Sequence, residues 1–258
     1  MIKQRRNRWF AAWFCHHARQ KLKANFRKCS LTPDSQLPVF EDQVPVVVIC
    51  NHSSWWDPLL ALFLSQYIFN RPLYGVMAEE QLRRYGIFRY VGIYSVDRES
   101  NQEGRAFLRY TRDLITGKNC LLWIYPQGEL LSNGHPSLEF KKGFVQIMTH
   151  LPKVHLLKIV VSYDFWIESK PEIVIDLLPL ETLMPRKGSE FVTRLTERVQ
   201  SEMTERLSEV KRIVRTQDGT PLKPLFLNDG GTHAVYDFYR RLKAFTLRQS
   251  FSKRHGTE

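Results

Sequence analysis

The segment Asn51-His52-Ser53-Ser54-Trp55-Trp56-Asp57-Pro58 carries the strongest chemical signal in the chain. His52 and Asp57 stand five positions apart. On a continuous helix they would point in different directions, but a turn between them lets the carboxylate fold back onto the imidazole. A carboxylate on one ring nitrogen fixes the tautomer and stabilises the imidazolium as it forms. The other nitrogen is then free to take a proton from a hydroxyl. If that hydroxyl belongs to a substrate alcohol, no Ser or Cys has to form a covalent intermediate. Pro58 suits the first position of a helix, which makes Asp57 a candidate N-cap, with one oxygen capping the helix and the other accepting the ring N–H. Taken alone, a His at this distance from an Asp is more often a satisfied structural residue beside a helix cap. A metal centre is a poorer reading, because one His and one Asp are too few ligands and no second His cluster lies nearby.

These residues need elements to hold them. The β-branched run Val44 to Cys50 predicts a buried strand just before the segment, and Pro58 to Phe69 predicts a helix just after it. Further strands are predicted at Leu73 to Met77, Gly92 to Val96, Leu121 to Tyr125, Val154 to Tyr163 and Ile173 to Leu178. Helical stretches fall at Glu79 to Tyr85, Arg105 to Ile115 and Lys142 to His150. Such alternation implies an α/β fold, a single mixed-sheet domain flanked by helices. Open α/β sheets carry their sites outside the carboxyl ends of strands, which is where His52 would sit. From Ser189 to Val214, Phe191, Leu195, Val199, Met203, Leu207 and Val210 recur at helical spacing and form a core-facing stripe. The breaker Asp218-Gly219-Thr220-Pro221 follows, then a loop to Gly231 and a short basic helix from His233 to about Phe251.

At 258 residues, with 43% hydrophobic and 25% charged side chains, the chain has an ordinary globular composition, which excludes a disordered or fibrous protein. The longest apolar run, Pro58 to Leu64, is too short to span a bilayer. Met1 to Lys28 is basic throughout and has no separate apolar core of the kind a secretory signal carries. Cys15, Cys29, Cys50 and Cys120 are scattered without a Cys-x-x-Cys pair, which points away from zinc and toward a reducing compartment.

The net charge of +12 attracts anionic lipid, nucleic acid or an acidic protein. Before Asp34 the chain has no acid, and it carries Lys3, Arg5, Arg6, Arg8, Arg19, Lys21, Lys23, Arg27 and Lys28 around the cluster Trp9, Phe10, Trp13, Phe14. A basic amphipathic helix with aromatic rings on one face suits a membrane interface; the bland alternative is a helix packing that stripe on its own core. The expected organisation is a membrane-associating N-terminal helix over 1–35, a catalytic domain over 36–215 and a basic helical tail over 216–258. A nucleic-acid-binding protein is the competing class, but it has no recognisable module here and leaves the His/Asp segment without a role.

Four blocks in order tip the balance. Asn51, His52, Ser54 and Asp57 form an Asn-His-x-Ser-x-x-Asp block; Gly92 and Arg98 frame a Gly-x5-Arg block; Tyr125-Pro126-Gln127-Gly128-Glu129-Leu130 is followed by Phe140-Lys141-Lys142-Gly143; and Leu156 to Tyr163 is an apolar strand. Across about 40–180 this array resembles the glycerolipid acyltransferases typified by bacterial 1-acyl-glycerol-3-phosphate acyltransferases. The resemblance implies transfer of a fatty acyl group from a thioester, acyl-CoA or acyl-carrier protein, to a hydroxyl of a lysophospholipid or related lipid, with no cofactor. His52 would be the general base and Asp57 its orienting partner. Asn51, Ser54, Arg98, Gln127, Gly128, Glu129 and Lys141 would contact substrates, and backbone N–H groups near Gly128 would face the oxyanion. The expected setting is the cytoplasmic face of a membrane, contacted peripherally, with anionic lipid and the lipid acceptor as partners, an acyl-carrier protein as a candidate partner for the basic surface and no nucleic acid.

Two departures bear on the acceptor. Gln127 stands where the family usually has Glu, and Leu130 where it usually has Arg. A point charge from Lys141, Lys142 or Lys158 would have to replace the missing fork. A non-phosphate acceptor such as a glycolipid, whose hydroxyls Glu129 could bind, is therefore a second expectation.

Overall fold

The computed structural model describes residues 1–96, 101–132, 137–165, 169–216 and 221–227, with 101–103 as helical backbone only. In chain order it begins with α1 (Arg8–Asn25), β1 (Lys28–Leu31), β2 (Val46–Cys50), α2 (Asp57–Tyr67), β3 (Leu73–Ala78) and α3 (Glu79–Arg84). A 3-10 helix (Gly86–Val91) leads into β4 (Ile93–Val96), α4 (Asn101–Ile115), β5 (Leu121–Ile124), α5 (Gly143–Met148) and β6 (Val154–Asp164). The chain continues through β7 (Glu172–Leu177), β8 (Glu181–Leu183), α6 (Ser189–Thr216) and β9 (Lys223–Leu227).

The centre of the sheet follows from the β-branched run. All five residues of β2 are buried, with Val46, Val48 and Cys50 on one face and Val47 and Ile49 on the other. A strand buried on both faces needs helices on both sides, which is the situation of a parallel sheet. β2 pairs in parallel with β5 and β6, and β3 joins β5 and β4 in the same sense. The order among the described strands is β4-β3-β5-β2-β6-β7-β1-β9, with β8 beside the start of β6. β7 runs antiparallel to the second half of β6, so the sheet is mixed, as expected.

α1 and α2 cover one face and α4, α5 and α6 the other. On α6 the buried stripe is Val192, Leu195, Val199, Met203, Leu207, Val210 and Val214. It differs from the predicted stripe at its start, where Phe191 is half-buried and Val192 faces the core. Each such side chain contributes about 1.5–3 kcal/mol on burial.

The first 35 residues do not stand apart. β1 lies inside the sheet, parallel to β7 and antiparallel to β9. A four-residue strand with a Lys and a Ser has too little hydrophobic pattern to be seen, and its partners fix it instead. α1 buries a stripe of small and aliphatic residues, Ala11, Cys15, Ala18 and Leu22, so its aromatic cluster is not what packs most deeply. The segment 221–227 was expected to be loop and holds β9, an edge strand that tolerates Pro224 because an edge lacks one row of ladder bonds. The predicted helix from His233 to about Phe251 lies outside the described residues.

Two buried ion clusters tie α6 to the sheet. Asp176 is fully buried; Arg206 donates Nε to its Oδ2 and Nη2 to its Oδ1, both at 2.8 Å, and the hydroxyls of Thr32 and Ser35 also donate to it. Lys158, 4% exposed, is paired with Glu181 and Glu202. Its ammonium is committed there, so Lys158 does not supply the cation missing from position 130. A buried charge left without its partner is costly. Arg206→Ala, which leaves the buried Asp176 without its cation, should therefore lower unfolding stability by about 3–5 kcal/mol, read by urea denaturation, while a substitution at an exposed residue such as Arg194 should change it little.

Candidate active site

The site is assembled where β2 and β5 end. Asn51, directly after β2, is 1% exposed. Its amide Nδ2 donates to the Val161 carbonyl at 2.9 Å and its Oδ1 accepts the Val161 N–H at 2.8 Å. The side chain thus imitates a peptide group and adds one rung to the β2–β6 ladder. This ties the start of the loop to β6.

His52 is held by its own backbone. Its N–H donates to Gln127 Oε1 at 2.6 Å, and its carbonyl accepts the Leu131 N–H at 3.0 Å. Both partners belong to the loop after β5, so the two loops are stitched together at the histidine. Gln127 is 4% exposed, and an amide oxygen serves as this acceptor without adding a negative charge. The imidazole stacks on the Tyr125 ring with centroids 4.3 Å apart and planes 20° from parallel.

The ring Nδ1–H donates to Asp57 Oδ2 at 2.7 Å. The same oxygen accepts the backbone N–H groups of Ser53 (2.8 Å) and Ser54 (2.9 Å). The Tyr163 hydroxyl donates to Oδ1 at 2.6 Å. Asp57 is 2% exposed, so the charge is out of water, and four donors compensate it. The histidine side chain keeps 21% of its surface accessible. With Nδ1 engaged, Nε2 is the nitrogen left for a substrate.

Asp57 is not the N-cap that Pro58 suggested. Trp56 holds that position, the helix has no side-chain cap bond, and Asp57 is its first residue. Side chains in a helix lean toward its N-terminus, so the carboxylate points back over the loop and meets His52, Ser53 and Ser54. Its place in the first turn also suits a negative charge. Ser54 shapes the loop a second way, its Oγ accepting the Trp56 N–H at 3.2 Å. Trp56 packs edge-on against Phe26 at 5.1 Å, whereas Trp55 is 71% exposed.

Gly128 adopts a left-handed φ of +79°, and a Cβ there would come within 3.1–3.3 Å of the Lys141 side chain. Glycine permits both the turn and the close crossing of Lys141. The Gly128 N–H donates to the Tyr125 carbonyl at 3.1 Å, so this N–H is turned into the loop and is not held out for an oxyanion.

Beside the stitched loops lies a cleft of about 320 Å³ lined by Gln127, Glu129, Leu131, Glu139, Phe140 and Lys141. Lys142 turns away to donate to Thr193 Oγ1 at 2.8 Å. Arg98 lies outside the described residues. Among the described residues, no group of three or more His, Cys, Asp or Glu side chains is arranged to hold a metal ion.

Sequence reasoning did not single out Tyr163 or give Tyr125 a role. Burial pushes both phenols well above their usual range, and the negative charge of Asp57 adds to each shift. The available signal was a Tyr ending a buried strand, because a buried hydroxyl needs a partner.

This arrangement can be set beside known proteins. No curated protein matches the chain. Among solved structures it is similar to the 1-acyl-sn-glycerophosphate (LPA) acyltransferase PlsC from Thermotoga maritima, with a TM-score of 0.55, 15% identity, and coverage of 78% of this chain and 79% of that one. That likeness establishes a shared fold. The profile of the Acyltransferase family matches residues 24–162, which include β2, the His52–Asp57 pair, the Tyr125–Leu131 loop and most of β6, and the chain belongs to that family.

Proposed function

We propose that the protein transfers a fatty acyl group from a thioester, acyl-CoA or acyl-carrier protein, to a hydroxyl of a lysophospholipid or related lipid. The observation that carries this reading is the His52 Nδ1–Asp57 Oδ2 bond of 2.7 Å on a ring whose other nitrogen has no hydrogen-bond partner among the described residues. Nε2 takes the proton of the acceptor hydroxyl as its oxygen attacks the thioester carbonyl. The tetrahedral intermediate collapses, the C–S bond breaks, and the imidazolium returns the proton to the departing thiolate. Asp57 keeps Nδ1 as the protonated nitrogen and stabilises the positive ring.

Asn51, Ser54, Gln127 and Gly128 serve this chemistry by shaping the two loops. Lys141 and Glu129, which line the cleft, are the proposed contacts to the acceptor headgroup, with Arg98 as a further anion contact from its place in the sequence. Gln127 and Leu130, where the family usually has Glu and Arg, keep a glycolipid or other non-phosphate acceptor as a second reading.

A cytoplasmic membrane surface is the proposed workplace. Among the described residues no helix is long and apolar enough to cross a bilayer, so the proposal is peripheral contact. Trp9 and Trp13 on α1 are 72% and 58% exposed. Phe10 and Phe14 beneath them touch Tyr90 and Phe88 of the 3-10 helix at 5.9 Å, and Tyr85, Ile87 and Tyr90 are themselves exposed. The exposed Arg5, Arg8, Arg83 and Arg84 belong to the same two stretches. Aromatic rings bounded by cations match an anionic lipid interface. The basic surface also suits an acidic acyl-carrier protein.

Three outcomes follow. His52→Ala should remain folded by circular dichroism and lose about 10²–10⁴-fold in acyl transfer to a lysophosphatidic acid and glycolipid panel; a rate within twofold of wild type would remove the histidine from the mechanism. Asp57→Asn should cost a similar factor, because the amide cannot hold the imidazolium. Trp9→Ala/Trp13→Ala should reduce co-flotation with vesicles containing anionic phosphatidylglycerol by about tenfold or more, given the area of two buried indoles. Flotation equal to wild type would move the lipid contact elsewhere. Truncation is not an equivalent test, since removing β1 would take a strand out of the sheet.

A further inference from the structure

We propose that Tyr163 is a positioning residue of the His52–Asp57 pair, which orients the carboxylate from the far side so that Oδ2 stays aimed at the imidazole. The inference deepens the acyl-transfer reading and names a residue outside the His-x4-Asp segment.

The donors around Asp57 are unevenly divided. Oδ2 receives three of them, from the ring of His52 and the backbone of Ser53 and Ser54. All three come from one short loop, so without a donor at Oδ1 the orientation of the carboxylate would depend on that loop alone. Oδ1 receives the Tyr163 hydroxyl at 2.6 Å, from β6 on another part of the sheet. A donor at each oxygen sets the plane of the group. The anchor is itself rigid. Tyr163 pairs with Ile173 in the β6–β7 ladder, and its ring packs against Phe26 at 5.7 Å. Two residues earlier, Val161 holds Asn51 at the other end of the loop. β6 therefore grips both ends of the His52 loop, at Asn51 and at Asp57.

The phenol also takes part of the charge. Asp57 divides its negative charge between the imidazole N–H and the Tyr163 O–H. Without the phenol, Oδ1 would be buried with a donor missing, and the carboxylate would lose the contact that holds it from the far side. Losing the Tyr163 hydroxyl should therefore weaken the Nδ1–H···Oδ2 bond. The other groups facing the pair do not compete. Cys50 from β2, Tyr125 from the loop after β5 and Tyr163 itself are all pushed well up by burial, with Asp57 raising each further, and stay uncharged near neutral pH. Among the described residues, Gln127, which is neutral, also meets the pair through the His52 N–H. A purely packing role predicts no such change when the ring is kept and only the hydroxyl is removed.

The test is Tyr163→Phe, which keeps the ring and removes only the hydroxyl, with Phe26→Leu as a variant that disturbs the same packing. Proton–nitrogen NMR of the labelled imidazole reads the Nδ1–H resonance of His52 without requiring turnover. In Tyr163→Phe this resonance should move upfield as the bond to Oδ2 weakens; in Phe26→Leu it should stay in place. An unchanged Nδ1–H resonance in Tyr163→Phe overturns the proposal, whether or not the protein proves to be an acyltransferase. If wild type transfers acyl groups, kcat of Tyr163→Phe should also fall about tenfold with KM within about twofold. Wild-type turnover that is absent while the resonance still moves would sink the acyl-transfer reading and leave the positioning role standing.

Discussion

A carboxylate sealed from water has to be compensated by donors, and at Asp57 that requirement organises the surrounding structure. Four donors converge on two oxygens, and they come from a loop after β2, from the loop's histidine and from β6. Removing a donor leaves a buried charge exposed to the full cost of desolvation, so the loop cannot relax without penalty. The imidazole is then held in one orientation.

The sheet makes that convergence possible. Three parallel strands, β5, β2 and β6, lie side by side, and each sends its carboxyl-terminal end toward the same edge. β2 delivers His52 and Asp57, β5 delivers the Tyr125–Leu131 loop that holds the histidine backbone, and β6 delivers Val161 and Tyr163. Each contact joins the end of β2 to a neighbouring strand, so the site is rigid where it must be. The rigidity of β6 is supported in turn by α6 and by the ion clusters at Asp176 and Lys158. Burial of Lys158 with two glutamates also accounts for a charged residue in a strand that is otherwise apolar.

Much of this was legible beforehand. The VPVVVIC run, the α6 stripe and the strand–helix alternation predicted the sheet's centre and its covering, because burial on both faces leaves a strong compositional trace. The His52–Asp57 contact was legible from chemistry and from the ordered blocks. What escaped has a common cause. β1, β8 and β9 are short and lie toward one side, where pairing partners and not composition decide the conformation. Tyr163 escaped because its partner is distant in sequence, and no spacing rule joins them. Asp57 was misread as a cap because Pro58 marks a helix start to within about one residue, while the direction of the carboxylate depends on which residue is first. The division at residue 35 failed because a basic segment was read by its charge, whereas its last four strand residues are held by the backbone ladder of β7.

The central claim is that Asp57 keeps the proton on Nδ1 of His52 and leaves Nε2 as the base. The most direct measurement is the nitrogen chemical shift of each ring position in the uncharged imidazole of the wild-type protein. The account predicts a protonated Nδ1 and a bare Nε2. A protonated Nε2 with a bare Nδ1 would contradict it, because the ring would then have no lone pair to offer an alcohol from its accessible side.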